Sequence, residues 1–128
     1  MKYMLMICPE PKGFEPSDES AAVIDEHVKF ARDAIARGAY VTCDALQGPE
    51  SAHTVRVVDG EPVITDGPFA ETKELLGGFY LFECKDDAEA TAYATRLATF
   101  TSCTIEVRPI QVIDGWEEMI GLAHAAAR

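Results

Sequence analysis

Phe79-Tyr80-Leu81-Phe82-Glu83-Cys84 is the stretch on which the fold turns. Successive side chains of a strand alternate between its faces, so Tyr80, Phe82 and Cys84 point one way and Phe79 and Leu81 the other. Both faces are apolar, which predicts an interior strand covered on two sides. Asp86 with Glu89 follows as a capping box opening an Ala-rich helix through Ala90, Tyr93, Ala94 and Leu97. Thr104 to Val112 then alternates Ile105 and Val107 against Glu106 and Arg108, the period of a half-buried strand. Residues 79–112 therefore read as one β-α-β unit.

The beginning of the chain has the same grammar. Tyr3 to Cys8 is a continuous apolar run stopped by Pro9 and Pro11, and Gly13 to Pro16 is a loop. Ser17 is a candidate N-cap, with Asp18 and Glu19 suited to the positive end of the helix dipole. Ile24, Val28, Ala31 and Ile35 form the expected core stripe of that helix, and Gly38 is its expected C′ residue. Tyr40 to Leu46 reads as the second strand of this unit. Between the two units, Val55-Arg56-Val57-Val58 and Glu61-Pro62-Val63-Ile64 flank the two-residue turn Asp59-Gly60. Pro62 lacks an N–H for a ladder, which places its strand at an edge.

Two β-α-β units in 128 residues predict an α+β, ferredoxin-like sandwich with a hairpin insertion, one sheet carrying both helices on one face. Residues 1–112 make the domain. A tail over 113–128 is expected to be helical, because Asp114-Gly115-Trp116-Glu117 repeats the capping pattern. The apolar second face of the sheet needs a cover, and a second copy of the chain is the simplest one. A homodimer is therefore expected, its sheets facing each other, with a cavity between sheet and helices.

The apolar fraction of 48% and charged fraction of 26% are those of an ordinary globular domain. Net charge is −11, a field that repels phosphate backbones, so nucleic acid is not an expected partner. Cys8, Cys43, Cys84 and Cys103 contain no C-x-x-C pair and read as reduced thiols in or beside strands, not as a metal site. The first residues lack the length and cleavage site of a signal peptide, and no run approaches a membrane span, so the cytoplasm is the expected location. No P-loop, Rossmann glycine pattern, nucleophile elbow or zinc spacing is present, and no cofactor is called for.

The chemistry lies in and around Asp66-Gly67-Pro68-Phe69-Ala70-Glu71-Thr72-Lys73-Glu74-Leu75. With Asp59-Gly60 as the turn, Val58 pairs with Glu61, Val55 with Ile64 and His53 with Asp66. A carboxylate beside an imidazole fixes its tautomer and raises its basicity, as a general base requires. His27, beside Ile24 and Ala31 on the first helix, is the second candidate base. Asp66 orients one of the two histidines, or accepts backbone N–H bonds from Phe69 or Ala70 and holds the turn. Lys73 and Arg56 are candidates for an anion-binding wall, which Arg108 could join. His124, in the Ala-rich tail, has no supporting context.

Lys2-Tyr3-Met4, Gly38, Leu46-Gln47, Thr54-Val55-Arg56, Asp59-Gly60, the segment from Thr65 to Tyr80, and Glu106-Val107-Arg108-Pro109 together resemble the DGPF branch of the YCII-related family. The resemblance runs from Met1 through about Pro109. It implies a ferredoxin-like domain forming a dimeric α/β barrel. It also implies a His-Asp pair in a cavity, with the His on the first helix eleven residues before a helix-ending Gly, the spacing of His27 and Gly38. Association with extracytoplasmic-function sigma factors is a further implication. The expected function is proton transfer on a small anionic molecule, of isomerase or lyase type. A non-catalytic regulatory partner of a sigma factor is the alternative.

Overall fold

The computed structural model describes residues 1–9, 21–68 and 76–122. Its elements are β1 (Lys2–Cys8), α1 (Ala21–Ala36), β2 (Tyr40–Ala45), β3 (His53–Val58), β4 (Glu61–Asp66), β5 (Gly78–Glu83), α2 (Asp87–Thr101), β6 (Thr104–Pro109) and the single-turn α3 (Trp116–Met119). Four strands form an antiparallel sheet in the order β2-β5-β1-β6, and β3 with β4 makes a separate two-stranded ribbon. Each unit's strands flank a strand of the other, which is the ferredoxin-like arrangement.

Tyr3 and Leu5 of β1 stand beside Phe82 and Tyr80 of β5 on the helix side of the sheet. They meet Phe30 and Ala34 of α1 and Ala90, Tyr93, Ala94 and Leu97 of α2 in one buried cluster. Phe30 is its hub, with ring centroids 5.0 Å from Tyr80, 5.5 Å from Phe82, 5.9 Å from Tyr93 and 5.7 Å from Phe100. Where a cavity between sheet and helices was expected, Phe30, Phe82, Leu5 and Leu97 fill the layer.

The core stripe of α1 differs from the expected one. Phe30 and Ala34 are buried and His27 and Ala31 half-buried, whereas Ile24, Val28 and Ile35 (57% exposed) face outward. The helix is apolar on both of these faces, and the aromatic cluster of the sheet selects the one carrying Phe30. Its end conforms to expectation: Gly38 is left-handed at φ +75°, and the N–H of Ala39 bonds the carbonyl of Ala34 at 2.8 Å. The proposed cap at Ser17, with Asp18 and Glu19, lies outside the described residues.

At the start of α2, Asp86 accepts from the N–H of Glu89 at 2.9 Å, and the Glu89 carboxylate accepts from the N–H of Lys85 at 3.2 Å. The second cap does not form. Gly115 precedes α3 in the left-handed region at φ +76°, with no side-chain cap, and only one turn follows before Ile120. The last strand ends at Pro109 and not Val112, since Pro109 has no N–H to donate. Gly78 permits the close approach of β2 and β5: a Cβ there would lie 3.0 Å from the carbonyl oxygen of Asp44.

The four cysteines are free thiols, and burial pushes the Cys84 thiol up to about 11. Tyr3 donates its hydroxyl to Asp87 at 2.6 Å, and this bond, reinforced by burial, pushes the phenol up to about 12. Both groups keep their protons to higher pH folded than unfolded. Their stabilisation is therefore complete below the unfolded values, 9.0 for Cys and 10.0 for Tyr, and is lost as pH rises through the folded ones. The thermal midpoint is expected to fall between about pH 9 and 12. Tyr3→Phe should flatten that fall; an unchanged alkaline slope would exclude the Tyr3–Asp87 bond as its source.

Candidate functional site

β1 and β2 finish, and β5 begins, at one end of the sheet, where Gly78 pairs with both Ile7 and Ala45. The ribbon leaves the chain from this end. A short 3-10 turn, Pro49–Ser51, leads into β3, and Gly67 closes the return. Gly67 is held at φ +93°, a conformation open to glycine. Its N–H donates to the carbonyl of Ala52 at 2.7 Å, and the Thr54 hydroxyl donates to the Gly67 carbonyl at 2.7 Å. These bonds tie the open end of the ribbon together.

At that end His53 pairs across the ribbon with Asp66, in the register that the turn dictates. Asp59 (φ 51°) and Gly60 (φ +79°) are both left-handed, the requirement of a type I′ turn, so the pairing has no slack. His53 Nδ1 lies 3.2 Å from Asp66 Oδ1, with side-chain exposures of 71% and 93%. Such an exposed pair contributes little to stability. The bonds from Asp66 to Phe69 or Ala70 considered above involve partners outside the described residues.

Beside this pair is an open, mainly apolar hollow of about 380 Å³, lined by Leu46, Pro49, Ala52, Pro68 and Leu76 with Gln47 and Ser51 among them. Ala52 adjoins His53 in the chain, and Pro68 follows Asp66-Gly67.

His27 is placed differently. Its Nδ1 lies 2.7 Å from the Tyr80 hydroxyl. Its ring stacks on Tyr80 at 6.0 Å and 15°, and meets Phe100 edge-on at 4.8 Å. Asp66 bonds His53 and not His27, so the structure gives each histidine its own oxygen partner. Sequence reasoning missed Tyr80 as that partner. The available signal was a tyrosine on the core-facing side of a strand, whose hydroxyl must find a bond when buried.

The cations are dispersed. Arg56 shares a ribbon face with Thr54, Val63 and Thr65, opposite to the face of His53 and Asp66. Arg108 sits on the edge strand β6, opposite Met4 on the open side of the sheet, away from the ribbon. Neither joins the wall expected of it. Lys73 lies outside the described residues, as does His124. Among the described residues no group of three or more His, Cys, Asp or Glu could hold a metal ion, and no helix is long and apolar enough to cross a membrane.

Comparison with known proteins gives a YCII-related domain matching residues 1–114. An uncharacterised protein of Rhizobium meliloti (strain 1021) is 47% identical over 62 residues, which are 47% of this chain. The chain spans about half the length of that curated relative, 50% of it.

Proposed function

The chain belongs to the YCII-related family, and on that footing we propose that it is a homodimeric protein moving a proton on a small anionic molecule. The observation that carries this reading is the His53–Asp66 contact of 3.2 Å beside the 380 Å³ hollow. In this reading Nδ1 of His53 holds its proton against the Asp66 carboxylate, which leaves Nε2 to accept one. A carbon acid next to a carbonyl gives its proton to Nε2, and Asp66 stabilises the imidazolium formed. Return of the proton to a different atom is isomerisation; departure of a group from the neighbouring carbon is elimination. Neither requires a cofactor. The anionic group of the substrate is assigned to Lys73, because Arg56 and Arg108 face elsewhere.

A thermal-shift screen with small oxo acids tests this. At least one is expected to raise the wild-type melting temperature, with the shift lost in His53→Ala and Asp66→Ala. Equal shifts in wild type and both variants would remove the pair from the site.

The dimer of this reading forms through the open side of the sheet. Met4 and Met6 of β1 are half-buried there beside Leu81 and Phe79 of β5, an apolar strip on the two central strands. Sedimentation equilibrium is expected to give a dimer for the wild type and a folded monomer for Leu81→Lys. A wild-type monomer, or a dimer untouched by the lysine, would count against this interface.

A second reading, a regulatory partner of an extracytoplasmic-function sigma factor in a cytoplasmic setting, draws on the ribbon. Val55, Val57 and Ile64 are exposed on one ribbon face. Such a surface suits a protein partner. Sigma-factor capture by the wild type, abolished by Val57→Lys with no oxo acid bound, would favour it.

A further inference from the structure

His27 and Tyr80 form a second imidazole–oxygen unit, buried where the first is exposed. We propose that Tyr80 is the positioning residue of His27: its hydroxyl donates to Nδ1, which places the neutral ring's proton on Nε2 and makes His27 a hydrogen-bond donor to a ligand oxygen. This inference does not rest on the His53–Asp66 pair, and it replaces the role of base expected for His27.

Three observations carry it. The O···N separation of 2.7 Å is that of a short, well-formed bond. The direction follows from chemistry, because a phenol is the better donor and an imidazole nitrogen, with a basicity near about 6.5, the better acceptor. Tyr80 is only 4% exposed, so its O–H must be satisfied inside the protein, and Nδ1 satisfies it.

The ring is also held in orientation. The stack on Tyr80 at 15° sets its plane, and the edge contact with Phe100 at 4.8 Å bounds it on another side. Along α1, the neighbours of His27 three and four residues away are Val23, Ile24, Phe30 and Ala31, none of which offers a side-chain acceptor to compete for Nδ1. The bond spans two elements far apart in sequence, α1 and β5. A ligand that engages Nε2–H therefore meets a donor whose direction the sheet fixes, and a carbonyl or carboxylate oxygen is the chemical class that accepts it.

Long-range proton–nitrogen NMR on the full chain, at a pH where the ring is neutral, reads the tautomer directly. The wild type is expected to show His27 wholly protonated on Nε2, with Nδ1 at the shift of an unprotonated nitrogen. In Tyr80→Phe, which keeps the ring and its packing, both nitrogens should move toward the averaged shifts of a mixed population. A purely structural role for Tyr80 would leave them where they were, and that result, or a wild-type proton on Nδ1, overturns the proposal. Should Tyr80→Phe fail to fold, fluorotyrosine incorporated into the wild type supplies a stronger donor. The His27 Nδ1 resonance should then shift while that of His53 stays fixed; an unmoved His27 resonance overturns the proposal equally.

Discussion

Replacing Phe30 by Ala is expected to cost about 3–5 kcal/mol of unfolding free energy, the usual consequence of removing a fully buried aromatic ring. Phe30 has no exposed surface and touches four other aromatic rings, and the Arg96 guanidinium stands 5.3 Å over its face. Truncation opens a cavity between α1, α2 and β5 that a packed layer closes only in part. For a domain of this size the thermal midpoint should fall by roughly 10–20 °C. Ile35→Ala, five residues further along the same helix, is the matched comparison and should stay within about 0.5 kcal/mol. Urea unfolding of the two variants decides between the stripes. Comparable losses would mean that the helix sits on the sheet by the face carrying Ile24, Val28 and Ile35.

That comparison marks where sequence reasoning stops. The strands were legible because Tyr80, Phe82 and Cys84 alternate with Phe79 and Leu81, and because Asp59-Gly60 admits one tight turn. The start of α2 was legible in Asp86 and Glu89, whose reciprocal bonds are local. α1 was legible as a helix but not in its rotation. Ile24, Val28 and Ile35 on one side and Phe30, Ala31 and Ala34 on another both satisfy the helical period. Only the aromatic side chains of β5 and α2 distinguish them, and those contacts are long-range.

The candidate site divides in the same way. His53 opposite Asp66 follows from a two-residue turn and strand alternation, so it could be read before any fold was known. The same alternation puts Arg56 on the other ribbon face, which removes it from a shared wall with His53. His27 with Tyr80 was out of reach, because no local rule joins a helix residue to a strand 53 positions away. The extent of α3 was likewise overread: a capping pattern starts a helix, but Gly115 and Gly121 leave room for one turn.

The largest functional effect is expected at His53. Positioned general acid–base catalysis contributes about 10²–10⁴-fold, so His53→Gln should slow proton exchange at the substrate carbon by that factor while leaving the fold intact. His53 is exposed and lies outside the core, which keeps any loss of stability small and the comparison clean. Asp66→Asn should also slow exchange, since it keeps the shape of the pair and removes the charge that stabilises the imidazolium. Lys73→Ala is expected to weaken binding of the same oxo acid.

The most direct measurement is deuterium uptake from D₂O, followed by proton NMR, into an oxo acid that the thermal-shift screen has selected. Wild-type protein is predicted to catalyse uptake at one carbon next to the carbonyl, with about 10²–10⁴-fold slower uptake in His53→Gln. Equal uptake in wild type and His53→Gln, or binding without any uptake, would contradict proton transfer by the His53–Asp66 pair.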